Sequence, residues 1–163
     1  MSVVEWCHWL QQTTFATTIT ESIWLFPLIE GSHILALPVS VGMILIFDLR
    51  LLGLAFRGEA ASKIMPELLR WSKIGFGAMI LTGSILFLTQ AEKAYSNAFF
   101  RTKMILLLVL ALNAVFYQLR FFPNMAQWEA EDRTPAGAKV CAGLSLIGWI
   151  AVIVCGRTMA YEL

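Results

Sequence analysis

Two side chains of this sequence can do chemistry from inside apolar runs. His33 lies within Leu25-Phe-Pro-Leu-Ile-Glu-Gly-Ser-His-Ile-Leu-Ala-Leu, and Lys103 opens Arg101-Thr-Lys-Met-Ile-Leu-Leu-Leu. A neutral imidazole ligates a metal or a haem iron through one nitrogen. A lysine that has given up its proton offers an amine that binds iron as well. Glu30 precedes His33 by three residues, so the two share a helix face. A carboxylate placed there can hold the second imidazole N–H and fix the tautomer. Arg101 and Arg157 are suited to pairing with haem propionates. Each residue also has a plainer reading. His33 can be hydrogen-bonded inside a helix bundle with no cofactor, Lys103 can snorkel to the membrane surface, and the arginines can meet lipid headgroups.

Other polar residues in apolar surroundings are fewer. Asp48 and Arg50 are expected to pair with Arg70 or Lys73, and Asn113 to make an interhelical hydrogen bond. His8, beside Cys7, is either a copper ligand or a solvated surface histidine, the latter being the expectation for a surface helix. The three cysteines, Cys7, Cys141 and Cys155, have no CxxC or CxxH spacing. That argues against a disulfide framework, a zinc site or covalent c-type haem.

The elements that must position these residues follow from composition. Of 163 residues, 58% are hydrophobic and 14% charged, against about a quarter charged in soluble domains. Mean hydropathy is +0.71. The net charge of +1 speaks against a nucleic-acid partner. The expectation is an all-α, integral membrane four-helix transmembrane bundle formed as a single domain over 1–163.

An amphipathic interfacial helix is expected over about residues 1–20, with Trp6 and Trp9 as interface anchors. The spans are expected at about 23–54, 68–88, 99–119 and 136–159. Pro27 and Pro38 can kink or break the first, whose hydrocarbon-crossing part is about 28–47. The N-terminus lacks the basic region of a cleavable signal, so the first span is expected to act as an uncleaved one. Gly75, Gly77, Gly83 and Ser84 in the second span let a neighbouring helix come close. Gly137, Cys141, Ser145, Gly148 and Cys155 form a small-residue stripe on the fourth, packing within the bundle or against another protomer in a homo-oligomer. The loops carry Arg57, Gly58, Glu59 and Lys63, then Glu92, Lys93, Ser96 and Asn97, then Pro123, Asn124 and the acidic run Glu129, Glu131, Asp132.

Basic residues set the orientation. Arg50, Arg57, Lys63, Arg70, Lys73, Arg120, Arg133 and Lys139 fall on one side, and Lys93, Arg101, Lys103 and Arg157 on the other. The positive-inside rule then puts both termini outside, in the periplasm for a bacterial inner membrane.

The run around His33, continuing to Phe47-Asp-Leu-Arg-Leu-Leu-Gly53, resembles an uncharacterised family of small bacterial four-helix membrane proteins. So does the run from Arg101 to Leu112-Asn-Ala. A histidine in the first helix with a lysine opening the third is also similar to the HemJ-type membrane protoporphyrinogen oxidases and, in layout, to the related CopD-like proteins. That resemblance implies a b-type haem with His33 and Lys103 as axial ligands. The third span carries Asn113 where the HemJ-type helix tends to carry a histidine. Three functions are in view. The first is a haem b electron carrier of the inner membrane, working with a quinone or periplasmic redox partner. The second is a HemJ-like porphyrinogen-oxidising enzyme, and the third a cofactor-free structural or assembly subunit.

Overall fold

The computed structural model describes residues 2–56, 58, 60–130 and 133–162. Arg57 and Glu59 of the first loop, and Glu131 and Asp132 of the acidic run, lie outside the described residues. Helices dominate the rest. Four of them are long and apolar enough to cross a bilayer: Leu25–Leu51, Ala61–Thr89, Ala98–Ala130 and Ala136–Tyr161. Most of their apolar side chains face outward, as a lipid environment requires and water does not permit.

The N-terminal segment is two helices rather than one. α1 (Val3–Gln11) starts with a capping box, Ser2 accepting from the Glu5 N–H while the Glu5 carboxylate accepts from the Ser2 N–H. Thr13 caps α2 (Thr14–Glu21), and its hydroxyl accepts from the Ala16 N–H, which breaks the helix in two. Trp6 and Trp9 are exposed on α1, while Cys7, Ala16 and Ile19 are buried.

The first span is α3 (Leu25–Leu37), a π turn (Pro38–Gly42) and α4 (Met43–Leu51). Pro27 falls in the first turn, where its missing N–H costs nothing. Pro38 lies mid-span and opens the π turn, since a proline cannot donate into the helical ladder. The polar groups of that turn are satisfied from inside. The Ser40 hydroxyl donates to the Ala36 carbonyl at 2.9 Å, and the Ser72 hydroxyl of the second span donates to the Ser40 carbonyl at 3.0 Å. Gly53, at φ 72°, ends α4: its N–H bonds the Arg50 carbonyl and the Leu54 N–H reaches back to the Leu49 carbonyl.

The second span, α5 (Ala61–Thr89), begins seven residues before the expected 68. Its first N–H groups, on Ala61 and Ser62, donate to the Glu129 carboxylate, which stands in for a local cap. Pro66 is therefore inside the helix rather than before it. α6 (Ala91–Ser96) follows, then α7 (Ala98–Arg120), capped by the Asn97 carboxamide oxygen, which accepts from the Phe99 and Phe100 N–H groups. A 3-10 turn (Phe122–Asn124) and α8 (Met125–Ala130) lead to α9 (Ala136–Glu162).

In the packing order, α5 lies on both halves of the first span, α4 also touches α9, and α9 pairs along its length with α7. α3 lies on α5 and α2. α1 sits on α6 and the end of α5. The glycines make these approaches possible. A Cβ on Gly75 would lie 2.6 Å from the Ser40 nitrogen. One on Gly148 would lie 2.6 Å from a Leu110 methyl, and one on Gly137 2.5 Å from the Phe121 ring. The fourth-span stripe thus packs within the protomer, with Cys141 and Ser145 buried beside these glycines. Of the second-span glycines, Gly75 and Gly83 face the first span, while nothing lies within 4 Å of a Cβ on Gly77.

Besides the buried Cys7, Ala16, Ile19, Ala91 and Ala94 at the end carrying the N-terminus, two clusters of buried apolar residues run through the bundle. One cluster holds Phe47, Leu51, Met65, Tyr117 and Trp128 near the first and third loops. The other, Val41, Leu110, Trp149 and Val152, lies at mid-bundle.

Candidate functional site

His33 and Lys103 both belong to the half of the bundle that carries the chain ends, beyond the two core clusters. His33 is half-buried on α3 and leans on α5. Its Nδ1 lies 2.8 Å from the Thr82 hydroxyl oxygen. That hydroxyl has already given its proton to the Ala78 carbonyl, at 2.7 Å. Thr82 can then only accept, so the proton of the ring sits on Nδ1 and the lone pair on Nε2. Gly83 lets the ring lie flat on α5, since a Cβ there would come within 3.1 Å of His33 Cε1.

Lys103 is half-buried in the first turns of α7. Its Nζ lies over α9, 3.8 Å from where a Cβ on Gly156 would be. The charge at Lys103 is close enough to act on the His33 ring. The histidine and the lysine, although on the first and third spans, thus lie at the same end of the bundle.

The other expected site residues are placed differently. Glu30 is exposed, and the partner of His33 Nδ1 is Thr82, not Glu30. A single helical turn put the carboxylate on the same face, but the ring turns toward α5 instead. Arg101 is exposed at the start of α7. Arg157 is exposed on α9, donating to the Tyr161 hydroxyl at 2.9 Å with its guanidinium 4.8 Å from that ring centroid. His8 is tied into the fold: its Nδ1 lies 3.0 Å from Glu92 Oε2, and the Gln12 amide reaches its Nε2 at 2.7 Å. Asn113 donates to the Cys141 carbonyl across α7 and α9 at 3.0 Å.

Asp48 is not paired with Arg70 or Lys73, both of which are exposed. It is 4% exposed and faces Ser145 of α9 and Tyr117 of α7. Thr82 and Tyr117 were not singled out from sequence. Thr82 carried a signal, a hydroxyl in the middle of an apolar span. Tyr117 carried none, because a tyrosine near a span end reads as an interface anchor.

Four apolar helices enclosing a few oriented polar side chains define a multi-pass α-helical membrane protein. The chain belongs to a family of unknown function, DUF6644, whose model matches residues 11–162. No curated protein and no solved structure matches it.

Proposed function

We propose that the chain is a b-type haem protein of a bacterial inner membrane, with both termini on the periplasmic side. It would pass electrons between a quinone or a periplasmic partner and a haem held between the first and third spans. The observation that carries this reading is the His33 ring: Thr82 holds Nδ1–H, and Nε2 keeps its lone pair at the end of the bundle that carries Lys103. The placement of Lys103 supports it too: its side chain is half-buried in the same half of the bundle, with Nζ over α9.

On this reading His33 and Lys103 would hold the haem iron. Arg101 and Arg157, at the same end and exposed, are the cations available to propionates. Bound haem supplies a one-electron couple, and two protein ligands on its iron favour electron transfer over oxygen binding. The surrounding side chains orient the imidazole and keep the region apolar.

The test is an optical spectrum of the detergent-purified protein, produced with haem available, oxidised and then reduced with dithionite. A Soret band with sharp reduced b-type bands is expected in wild type, lost or shifted in His33→Ala and in Lys103→Ala. A colourless wild-type protein overturns the reading and puts a cofactor-free subunit in its place.

A further inference from the structure

The opposite half of the bundle holds a second polar centre that the haem reading does not use. Asp48 of α4 is 4% exposed and Tyr117 of α7 is 7% exposed. Among the described residues, neither Asp48 Oδ2 nor the Tyr117 hydroxyl has a hydrogen-bond partner. Unsatisfied groups at this depth are rare, because each has lost its bonds to water with nothing in return. The two belong together: the charge of Asp48 acts on Tyr117, and so does that of Glu129. Ser145 of α9 faces the Asp48 carboxyl, and the Cys141 thiol is near Asp48 and Tyr117. Asn113 is occupied, donating to the Cys141 carbonyl. On the α5 side the neighbours of this core are Ala61, Met65, Leu68 and Leu69, which carry no charge.

We propose that Asp48 and Tyr117 hold a water molecule between them, and that Asp48 exchanges a proton with that water. A water both accepts and donates, so it can satisfy a carboxyl oxygen and a phenol hydroxyl that do not reach each other. The bonds balance simply: a carboxylate and a hydronium become a carboxylic acid and water, and no electron moves. Among the described residues no cation acts on Asp48, and a buried acid so placed favours holding that proton over exposing a bare charge to the apolar core. A metal ion is the poorer occupant. Hard cations take six or more oxygen ligands, and the described histidine, cysteine, aspartate and glutamate side chains form no group of three suited to a metal. The supply route is the loop end. Glu129 acts on Tyr117 from α8, and its carboxylate is engaged with the partly exposed first turn of α5. The centre is therefore a protonatable site built from the first, third and fourth spans. It stands whether or not haem binds at the other end.

The experiment is infrared spectroscopy of the full-length protein in nanodiscs at neutral pH, in H2O and then in D2O. A carbonyl stretch of a protonated carboxylic acid is expected, shifting down in D2O, absent in Asp48→Asn and displaced in Tyr117→Phe. Any one of four results overturns the proposal: no such band in wild type, a band that does not shift in D2O, a band that persists in Asp48→Asn, or one that vanishes when potassium in the buffer is replaced by sodium. The last would assign the site to a cation. Should Asp48→Asn fail to fold, the deuterium shift in wild type and the displacement in Tyr117→Phe decide the matter.

Discussion

The two halves of this bundle treat their polar side chains in opposite ways. At the end carrying the termini, His33 is half-buried and held against α5, its Nδ1 at the Thr82 hydroxyl and the Met79 carbonyl beside the ring. At the loop end, Asp48 and Tyr117 are almost wholly buried among Phe47, Leu51 and Met65, each with an atom unsatisfied. The packing explains the contrast. α4 is gripped by both α5 and α9, whereas α3 leans on α5 and α2. A half-buried imidazole whose Nδ1 is engaged reads as a ligand. A polar group sealed in a filled core reads as an internal hydrogen-bond or proton site.

The largest expected effect that separates the halves lies at Thr82. Thr82→Val keeps the shape but removes the acceptor for His33 Nδ1–H. Haem affinity should fall by roughly 10–100-fold, as it does when the outer partner of a ligating histidine is removed. Haem titration of the detergent-solubilised protein measures it. Tyr117→Phe, in the other half, should leave that affinity unchanged. Equal losses in the two variants would dissolve the distinction between the ends.

Next comes the waist where the halves meet. An added methyl at Gly75 would run into the backbone of Ser40, with 2.6 Å to its nitrogen and 2.9 Å to its Cα. Backbone cannot swing aside as a side chain does, and the Ser72-to-Ser40 bond is at the same place. Gly75→Ala should cost about 1–3 kcal/mol, seen as a lower thermal unfolding midpoint. Gly77→Ala, two residues along with nothing within 4 Å, should hold or gain up to about 1 kcal/mol from helix propensity. If the two substitutions behave alike, the π turn yields to α5 instead of being clamped by it.

Much of the architecture was legible in the sequence, because a bilayer allows few alternatives: four apolar stretches have to be helices. The boundaries were less so. Glu129 caps α5 from a different loop, so the start of that helix at Ala61 carried no local signal. That His33 and Lys103 lie at the same end of the bundle could be read from the parallel directions of the first and third spans. The rotation of the His33 ring could not. Helical spacing put Glu30 on its face, while the close approach permitted by Gly83 turned the ring to Thr82. The Asp48 centre was misjudged for a related reason. Pairing charges by sequence side matched Asp48 with Arg70 and Lys73, but both point outward and Asp48 turns toward α9.

The smallest expected effect concerns what holds α1 at the end carrying the termini. α1 rests on α6, with Cys7 buried and His8 tied to Glu92. The two contacts differ in kind. Cys7 is 2% exposed, while the His8 and Glu92 side chains are 57% and 49% exposed. An ion pair that open is worth about 0–1 kcal/mol and weakens with salt. If buried contact and the interfacial tryptophans hold α1, Glu92→Gln should raise amide exchange in Val3–Gln11 by less than about fivefold. A rise of tenfold or more, equivalent to about 1.4 kcal/mol, would mean that the histidine is the latch. α1 would then depend on a solvent-exposed contact, and raising the salt concentration would release it as the substitution does.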